Sequence, residues 1–474
     1  MNPVQSVVES RTWTDSGLRV ASRAADHGLL WFAVGTAAFA VGGRTRRAGV
    51  RGVLALAGAS ALTNAVLKPV FPRRRPPPEH VAPGRRPRRT PTSSSFPSGH
   101  AASAAAFVTG VALESPAAAA LLAPVGAAVA YSRVHIGVHW PTDVLAGAAI
   151  GAAVAVGTRR WWAVRADEPA TLGGVVSAPA LPDGSGLLIL VNPGSGDADE
   201  DPSDRLRRLF PAATLLRADP DGDVGAQLEA AVERSAPRAL GVCGGDGTVV
   251  TAVGVALCHD LALAVFPGGT LNHFARDVGV EDLESTRDAV TAGTAVRVDV
   301  GEVRRDGNPA TIFVNTASLG GYPDAVRLRE RWEPRLGKWP AAAAAMGRVL
   351  ARARPIAAEV DGTPTSIWML FVGNGRYAPS DQVPLSRPDL NEGTLDVRYL
   401  RADRRHSRAR LLWATLTGTL SASPTYAHTD ATAVTVRLRS EPVSLATDGE
   451  VIGRGREFRF TSRPAALRLY RRRA

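Results

Sequence analysis

Cysteine and lysine are both scarce in this sequence, and each shortage is informative. The 474 residues contain two cysteines, Cys243 and Cys258, so no disulfide framework holds the chain together. Cys243 closes an apolar run, and we interpret it as a small buried residue. Lys68 and Lys338 are the only lysines among many arginines, so a lysine that falls within a motif is not compositional noise.

Uninterrupted apolar runs as long as a membrane-spanning helix are also missing from this sequence. Apolar Ala/Gly-rich segments lie near 28–43, 52–67, 101–113, 117–131 and 144–157. Each is shorter than the roughly 20 residues of a perpendicular membrane-spanning helix, which would fit a soluble helical bundle. Flanking residues lengthen several segments and few charges interrupt them, so we favour a membrane bundle of about five spans. We expect no signal peptide, because no clear cleavage site follows the first run.

Positive charge is concentrated in the N-terminal part of the chain. Residues 1–165 hold 19 Lys and Arg against 6 Asp and Glu, whereas the remainder is close to neutral. An acidic partner is therefore expected for the first part. Nucleic acid is disfavoured, because neither interleaved aromatic residues nor a recognition motif accompanies the arginines. A phosphorylated lipid or a membrane surface fits better.

The segment from Ser132 to Asp143 reads SRVHIGVHWPTD and has a histidine four residues before an aspartate. Pro141 suits the first turn of a helix, which would place the pair on one helical face. The carboxylate of Asp143 would then hold one ring N–H of His139 and leave the other nitrogen as a nucleophile. Arg133 adds a fixed cation for a phosphoryl oxygen. The alternative is a structural His–Asp pair at a helix N-terminus.

Two further motifs lie upstream of this segment. The sequence SFPSGH, ending at His100, runs into an Ala-rich helical segment. Ser98 and Gly99 are placed to present a hydroxyl and backbone N–H groups to an anion, and His100 to protonate a leaving group. Lys68 begins the run KPVFPRRRP, in which Arg75 precedes the final proline.

In order and spacing, Lys-x6-Arg-Pro, Pro-Ser-Gly-His and Ser-Arg-x5-His-x3-Asp resemble the type 2 phosphatidic acid phosphatase family, which shares its site with vanadium haloperoxidases. The resemblance covers roughly residues 60 to 157. It implies that His139 forms a phosphohistidine, that Asp143 orients it and that His100 is the general acid. It also implies a cofactor-free phosphatase, since cations balance the charge. The implied phosphate-binding residues are Lys68, Arg75, Ser98, Gly99 and Arg133.

Beyond a Gly/Pro/Asp-rich stretch, strands and helices alternate. Buried strands are expected at Leu187–Val191, Thr214–Arg217 and Ala239–Cys243, with a helix near 224–234. This pattern predicts a doubly wound α/β lobe with binding loops at the carboxyl ends of parallel strands. After about residue 295 the pattern predicts a mostly antiparallel β lobe with a helical insert at about 324–353. Its expected strands are Val296–Val303, Thr311–Val314, Ile367–Val372, Leu395–Leu400, Val434–Leu438 and Phe458–Thr461.

Gly-rich turns follow two strands of the predicted α/β lobe. Residues 244–248 read GGDGT and residues 267–277 read PGGTLNHFARD, and both turns would open on one sheet edge. Such loops let a backbone approach phosphate, although a plain strand–turn–helix is the alternative. The first loop is neither a Walker motif, since no lysine follows, nor a Gly-x-Gly-x-x-Gly fingerprint.

Together with Asn192-Pro and the late Asp448-Gly-Glu450, these loops resemble the diacylglycerol kinase catalytic family, which includes sphingosine kinases and bacterial lipid kinases. The resemblance covers about residues 187–474 and implies ATP as co-substrate with Mg²⁺. It implies that Glu450 is the general base with Asp448 beside it, and that Asp246 helps to place Mg²⁺; a simple hairpin turn is the alternative for 448–450. The implied nucleotide-binding residues are Asn192, Gly196, Gly244, Gly245, Asp246, Gly247, Thr248, Gly269 and Thr270.

Two departures from the family pattern stand out. An acidic run from Asp197 to Asp204 follows the first loop, where negative charge would repel phosphates. The family's Asp-Gly-x-Leu is Glu-Gly-Thr-Leu here, so Asp389, Glu392 and Thr394 are candidates for a second, structural Mg²⁺ site.

The sequence thus predicts an N-terminal all-α membrane bundle followed by a two-lobed kinase. The predicted domains are a membrane-embedded lipid phosphatase at 1–157, a linker at 158–185 and a lipid kinase at 186–474, itself divided into a nucleotide-binding lobe at 186–295 and a lipid-binding lobe at 296–474. One alternative is that only one domain is active; another is a membrane-anchored lipid-binding protein. Because a kinase needs cytoplasmic ATP, counting spans backward places the phosphatase motifs outside and Arg44 to Arg51 inside. The arginines between Arg73 and Arg89 then lie outside, against the usual charge bias.

Overall fold

The computed structural model separates the chain into an N-terminal unit, 1–165, and a C-terminal unit, 166–474. The residues that it describes are 28–77, 79, 81, 92–160, 162, 164, 170–192, 201–219, 221–269, 272–280, 282–321, 328, 331–332, 338–380, 386–417 and 419–472. Gly196, Thr270, part of the acidic run and part of the helical insert were named above from the sequence and lie outside these ranges.

The N-terminal unit is built of helices, at the positions that the Ala/Gly-rich segments predict. They are α1 Leu29–Val41, α2 Gly43–Ala61, α3 Gly99–Glu114, α4 Pro116–His135 and α5 Pro141–Gly157. A π-helical turn, Leu62–Leu67, carries α2 on to Val70. Proline begins both α4 and α5, where the amide hydrogen that it lacks would have no partner within the helix.

Three helical stretches in the described part of the chain are long and apolar enough to cross a membrane. They are Gly43–Val70, Pro116–His135 and Pro141–Arg160. The helix α3 is shorter and the most enclosed, because it packs against α2, α4 and α5 and buries residues on several faces. The number of spans, about five, stays a prediction.

Small residues let these helices approach one another closely. A Cβ built on Gly151 of α5 would lie 2.1 Å from the carbonyl oxygen of Ala102 in α3. A Cβ on Gly110 of α3 would lie 2.9 Å from Cα of Gly52 in α2. Neither position has room for a side chain. Helices within a membrane associate through this kind of close van der Waals packing, since lipid provides no hydrophobic drive between them.

A buried ion cluster lies at the end of the bundle away from Lys68. Glu114 accepts hydrogen bonds from Nε of Arg51 at 2.7 Å and from Nε of Arg47 at 3.2 Å. Arg51 is fully buried and also donates to Oγ1 of Thr158 at 3.0 Å and to the carbonyl oxygen of Trp162 at 2.6 Å. These partners compensate for the loss of water around the charges. They tie together the start of α2 and the ends of α3 and α5.

The first lobe of the C-terminal unit contains a parallel sheet with the order β3-β2-β4-β5. Because β2 and β4 are buried throughout, they read as continuous apolar runs. The strands are β1 Val175–Ser177, which pairs with the second lobe, β2 Leu187–Val191, β3 Thr214–Arg217, β4 Ala239–Gly244 and β5 Ala262–Pro267. The helices are α6 Ser203–Leu209, α7 Val224–Ser235, α8 Asp246–Cys258, α9 His273–Asp277 and α10 Leu283–Ala292.

The second lobe is mostly antiparallel, and its strands enclose their own apolar core. The strands are β6 Thr294–Arg305, β7 Thr311–Phe313, β8 Thr316–Gly320, β9 Ile356–Val360, β10 Thr363–Asn374, β11 Leu395–Arg401, β12 Tyr426–Ala431, β13 Ala433–Leu438, β14 Val443–Thr447, β15 Glu450–Gly455 and β16 Glu457–Tyr470. Two helices, α11 Lys338–Arg352 and α12 Ser407–Thr417, accompany them. A parallel contact between β16 and β5 joins the lobes into one sheet. The predicted fold class is confirmed.

Two candidate active sites

The three motifs of the N-terminal unit meet at one end of its bundle. Lys68 lies near the end of the long second helix, Gly99 begins α3, and Arg133 lies in the last turn of α4. Asp143 lies in the first turn of α5. Since neighbouring helices run in opposite directions, these ends are adjacent. A Cβ built on Gly99 would lie 3.6 Å from Nζ of Lys68.

His139 lies in the turn between α4 and α5 and is 4% exposed. Its Nδ1 is 2.6 Å from the carbonyl oxygen of Ser95. A carbonyl oxygen can only accept, so Nδ1 carries the ring proton and Nε2 keeps its lone pair. The nearest oxygen of Asp143 lies 3.7 Å from Nδ1, beyond hydrogen-bond distance. The structure thus forms a His139–Ser95 hydrogen bond instead of the expected His139–Asp143 one.

Asp143 is fully buried and braces the turn that carries His139. Its carboxylate accepts the backbone N–H of Trp140 at 2.9 Å and Nη1 of Arg73 at 2.8 Å. Because Trp140 directly follows His139, these contacts fix the backbone at the imidazole. Sequence reasoning missed Arg73, since it stands in a run of three arginines of which the family motif uses only Arg75.

Three cations surround the imidazole. Burial lowers the pKa of His139 to about 3, and the positive charges of Arg75, Arg133 and Lys68 contribute in the same direction. Arg75 also donates from Nη1 to the carbonyl oxygen of Val138 at 2.6 Å, directly before His139. A neutral imidazole among fixed cations combines a nucleophile with charge stabilisation for an anionic group.

Ser98 offers a hydroxyl to the same place. It is the N-cap residue of α3 and fully buried, and its Oγ has no hydrogen-bond partner. A buried hydroxyl without a partner costs about 1–3 kcal/mol, so an anion at this helix start would relieve that cost. His100 follows in the first turn of α3 and is partly buried.

The two Gly-rich turns of the C-terminal unit pack against each other at the carboxyl edge of the parallel sheet. A Cβ built on Gly269 would lie 2.6 Å from Cα of Gly245. The side-chain amide of Asn192, after β2, donates to Oγ1 of Thr248 at 3.0 Å. The structure therefore brings the described members of the predicted nucleotide set to one edge: Asn192, Gly244, Gly245, Asp246, Gly247, Thr248 and Gly269.

Asp246 connects the two helices that follow these turns. Its carboxylate oxygens accept the backbone N–H groups of His273 and Phe274, each at 3.2 Å. The side chain of Asp246, from the first Gly-rich turn, thus caps α9, which follows the second Gly-rich turn. Each carboxylate oxygen retains a second lone pair, which a cation can use.

Glu450 brings a carboxylate from the antiparallel lobe to the first turn of α8. A Cβ built on Gly247 would lie 2.8 Å from Oε1 of Glu450. Glu450 is exposed and begins β15. A carboxylate and a phosphate-binding type of loop are therefore adjacent, although they are about 200 residues apart in the sequence.

Asp448 makes different contacts from those of Glu450. Its carboxylate accepts the backbone N–H groups of Val314 at 2.8 Å, Asn315 at 2.7 Å and Thr316 at 2.9 Å. Burial raises the pKa of this carboxyl to about 6, although the three hydrogen bonds act in the opposite direction. Asp448 therefore anchors the turn before Glu450 to the connection between β7 and β8.

Arg387 is a residue of this site that sequence reasoning missed. Its side chain is buried and donates to Oδ2 of Asp277 at 2.8 Å and to Oδ1 of Asn315 at 2.7 Å. Asp277 ends α9 in the first lobe, whereas Asn315 lies in the second. Arg387 thus links the lobes beside the Asp448 anchor, and nothing in its local sequence distinguishes it from the other arginines.

The trio predicted for a second Mg²⁺ makes other contacts in the structure. Glu392 pairs with Nε of Arg376 at 3.2 Å, and Asp389 forms a backbone bridge with Thr171. The hydroxyl of Thr394 is buried without a hydrogen-bond partner. The trio stays a prediction.

Elsewhere in the second lobe, Asp396, His428 and Asp430 are spaced to hold a cation, on a search of the described residues alone. Arginines satisfy the two carboxylates, since Asp396 pairs with Arg398 at 2.6 Å and Asp430 with Arg376 at 2.9 Å.

Comparison with known families finds a match in each of the two units. A family model described as PAP2 superfamily matches residues 49–167. A model described as diacylglycerol kinase catalytic domain matches residues 186–303. The chain contains a domain of each kind, so the predicted fusion is confirmed.

Individual relatives match parts of the chain. A curated protein named diacylglycerol kinase, from Mycobacterium tuberculosis (strain CDC 1551 / Oshkosh), is 28% identical over 193 residues, which are 39% of this chain. The chain spans 61% of the length of that relative. The crystal structure of a diacylglycerol kinase from Bacillus anthracis is 18% identical, with 60% of this chain and 96% of that chain covered and a TM-score of 0.42. That of a transmembrane PAP2 type phosphatidylglycerolphosphate phosphatase from Bacillus subtilis is 24% identical, with 31% and 75% covered and a TM-score of 0.25.

Proposed function

We propose that this chain is a bifunctional enzyme of lipid metabolism. A lipid phosphatase domain, 1–157, is followed by a linker, 158–185, and an ATP-dependent lipid kinase domain, 186–474. The observation that supports the phosphatase is the neutral, buried His139 among Lys68, Arg75 and Arg133. The observation that supports the kinase is the carboxylate of Glu450 against the Gly-rich start of α8. The two activities interconvert phosphorylated and free lipid alcohols, or act on different lipids.

In the phosphatase, Nε2 of His139 attacks the phosphorus of a lipid phosphate monoester or diphosphate. The bond from phosphorus to the leaving oxygen breaks, and His100 protonates that oxygen. Water, losing a proton to His100, then attacks the phosphohistidine, and inorganic phosphate leaves while Nε2 regains its lone pair. Asp143 holds the turn that carries His139. The phosphoryl oxygens bind to Lys68, Arg75, Ser98, Gly99 and Arg133, so the site needs no cofactor.

In the kinase, Glu450 takes the proton of a lipid hydroxyl, such as that of diacylglycerol, as its oxygen attacks the γ-phosphorus of ATP. The bond to the bridging oxygen breaks and ADP leaves. Asp448 positions Glu450, and the two Gly-rich turns hold the phosphates. Asp246 fits Mg²⁺, because oxygen ligands suit this ion and its carboxylate lies at the loop; the ion would neutralise phosphate charge. Asp389, Glu392 and Thr394 are proposed for a second, structural Mg²⁺.

The proposed setting is a multi-pass membrane protein with the kinase in the cytoplasm and the phosphatase site outside. The ends of α2 and α5 near the Glu114 cluster carry Arg44, Arg46, Arg47, Arg51, Arg159 and Arg160, a concentration that favours the cytoplasmic side. The phosphatase motifs lie at the other end of the bundle. Arg73 and Arg75, which oppose this charge bias, are engaged with Asp143 and with the main chain beside His139.

The test measures both activities in the purified full chain reconstituted in lipid vesicles. Phosphate release is followed with a panel of lipid phosphates, and label transfer from γ-labelled ATP to extracted lipid is followed separately. We expect His139→Ala to abolish phosphate release and leave label transfer within a few-fold, and Glu450→Gln to do the reverse. Loss of both activities in either variant contradicts two independent sites. A wild-type chain that binds lipid phosphates without turning them over is a lipid-binding protein.

A further inference from the structure

The helix α12 leaves two large apolar side chains in contact with solvent. Leu412 is 62% exposed and Trp413 is 69% exposed. Their neighbours Leu411 and Ala414 are buried, so α12 packs against the lobe through one face and presents the other. Adjacent exposed apolar side chains that include a tryptophan mark an interaction surface more often than isolated ones do.

Positive charge surrounds these apolar side chains. Residues 401–417 contain five arginines and a single acidic residue, Asp403. Asp403 pairs with Arg401 at 2.6 Å. The remaining arginines are exposed: Arg404, Arg405, Arg408 and Arg410.

The spacing along α12 places charge and apolar groups on one surface. Ala409 precedes Leu412 by three residues and Trp413 by four, so the three share one exposed helical face. Arg405 lies two residues before the helix begins, and Arg410 precedes Trp413 by three residues within it. An apolar ridge flanked by arginines is typical of a helix that lies in a lipid–water interface, because arginine stems cover apolar surface while their charged ends reach phosphates.

The surface adjoins a cavity of about 550 Å³ beneath α11. The guanidinium of Arg408 lies 4.6 Å from the ring centroid of Trp368, which lines that cavity, and donates to the carbonyl oxygen of Ala353 at 2.8 Å. Arg454 also lines the cavity and follows Glu450 by four residues along β15, about 13 Å at about 3.3 Å per residue. The cavity is thus lined by a residue that contacts α12, Trp368, and by one on the same strand as Glu450, Arg454.

We propose that α12 docks on an anionic lipid bilayer. Leu412 and Trp413 enter the headgroup region, and the exposed arginines of residues 404–410 contact lipid phosphates. This inference rests on the proposed kinase function, since a lipid acceptor must pass from the bilayer to Glu450. Tryptophan is enriched at membrane–water interfaces, and a surface with charge of one sign complements anionic lipid.

A fluorescent probe on α12 tests docking without measuring catalysis. The full chain, with Cys243 and Cys258 replaced, receives Ala409→Cys and an environment-sensitive dye, and is reconstituted in vesicles that contain spin-labelled lipid. We expect quenching of the dye in vesicles with phosphatidylglycerol and much less in pure phosphatidylcholine. Salt at 1 M should reverse it, because the screening length falls from about 10 Å at 0.1 M to about 3 Å. A dye on Glu233→Cys, exposed on α7 of the other lobe, is the control and should not be quenched.

Two paired variants separate the apolar from the charged contribution. Leu412→Ser with Trp413→Ser, and Arg405→Glu with Arg410→Glu, should each lower phosphorylation of bilayer-resident diacylglycerol by about tenfold, equivalent to about 1.4 kcal/mol. Each should also abolish quenching at position 409 while leaving turnover of a water-dispersed short-chain diacylglycerol unchanged. Quenching that survives both variants, that is equal at position 233, or that is replaced by energy transfer between labelled copies overturns the proposal. Quenching without kinase activity sinks the proposed function alone, whereas activity without quenching sinks the docking alone.

Discussion

A main-chain carbonyl, not a carboxylate, holds the proposed nucleophile of the phosphatase. The hydrogen bond from Nδ1 of His139 to Ser95 is independent of any titrating side chain. The folded-state pKa of His139, about 3, lies below the ordinary value of about 6.5. The stability that this neutral imidazole contributes is therefore fully present above pH 6.5 and is lost progressively as the pH falls from about 6.5 to about 3.

This low pKa predicts that the nucleophile survives mild acid. A histidine with an ordinary pKa would be about 97% protonated at pH 5 and would react about 25-fold more slowly than at pH 7. We expect formation of the phosphoenzyme at pH 5 to stay within a few-fold of its rate at pH 7. Labelling of the protein by a radiolabelled lipid phosphate, quenched in alkali to preserve phosphohistidine, measures it, with His139→Ala as the unlabelled control. A fall of about 25-fold from pH 7 to pH 5 would contradict the buried, neutral His139.

Removing the charge of Asp448 should mainly lower stability, whereas removing the charge of Glu450 should mainly lower kinase turnover. Asp448→Asn places an amide against three N–H donors and should lower the free energy of unfolding by about 1–3 kcal/mol, with a lower melting temperature. Glu450 is exposed, so Glu450→Gln should leave the melting temperature unchanged. We expect this variant to bind ATP as before and to lose about a hundredfold in kinase turnover, because the general base is removed. Thermal unfolding and kinase turnover, measured on both variants, test these two expectations. Unchanged turnover in Glu450→Gln would move the base role to Asp246 or Asp448.

The sequence predicted the site residues that belong to a spaced motif. It did not predict the residues that hold them in place, because those residues belong to no motif. Lys68, Ser98, Gly99, Arg133 and His139 come together at one end of the bundle. The carbonyl of Ser95 leaves no trace in a sequence, because every residue has one. Arg387 could not be predicted for a related reason. It links the two lobes because it is buried between them, and only the tertiary structure creates that burial.

Within the helix α8, two glycines differ in what surrounds them, and this difference gives a matched pair. A Cβ on Gly247 would meet Oε1 of Glu450 at 2.8 Å, whereas a Cβ on Gly254 would meet nothing within 4 Å. We expect Gly247→Ala to displace the carboxylate and lower kinase turnover by about tenfold or more, since small displacements at reacting groups are costly. Gly254→Ala should keep turnover and raise the free energy of unfolding by about 1 kcal/mol through helix propensity. Equal kinetic effects of the two substitutions would refute the Glu450 contact.

Elements with strong local patterns were predicted, and elements that depend on neighbours were not. Leu187–Val191 and Thr214–Arg217 are apolar runs between turn residues and appear as strands with the predicted bounds. The strand β15 reads EVIGRG, and its glycines and charges give no strand signal. It is a strand because β14 pairs with it along its length. The helix α12 was also missed, since apolar side chains lie both on its buried face and on its exposed face.

The proposed orientation of the whole molecule predicts which positions an external reagent reaches. Single cysteines at Glu79 and Ser185, both exposed, are introduced after Cys243 and Cys258 have been replaced. We expect an impermeant thiol reagent on intact cells to label position 79 and not position 185, because the phosphatase end of the bundle lies outside and the kinase inside. Permeabilised cells, in which both should react, are the control. Labelling of 185 alone, or protection of both in intact cells, would overturn the orientation.

The presence of two chemistries could be predicted from the sequence because each has its own motif set on its own side of a compositional change. The number of membrane crossings could not. The helix α3 has 16 residues, fewer than the roughly 20 of an isolated span, yet neighbours enclose it on several faces. Length thresholds apply to helices that face lipid, and in the proposed membrane setting α2, α4 and α5 would shield α3 from lipid.

The position of the strand β16 late in the chain determines the order in which the two units can fold during synthesis. It pairs with β6 and β13 and touches β5 at Leu469, so both kinase lobes depend on it. All of its partner strands leave the ribosome earlier. The edges that pair with β16 therefore lack their hydrogen-bonding partner until residue 470 has been made. By then the helices of the N-terminal unit have long been synthesised, and chains fold domain by domain from the N-terminus. On the proposed function, each new copy can remove phosphate from lipids before it can add any.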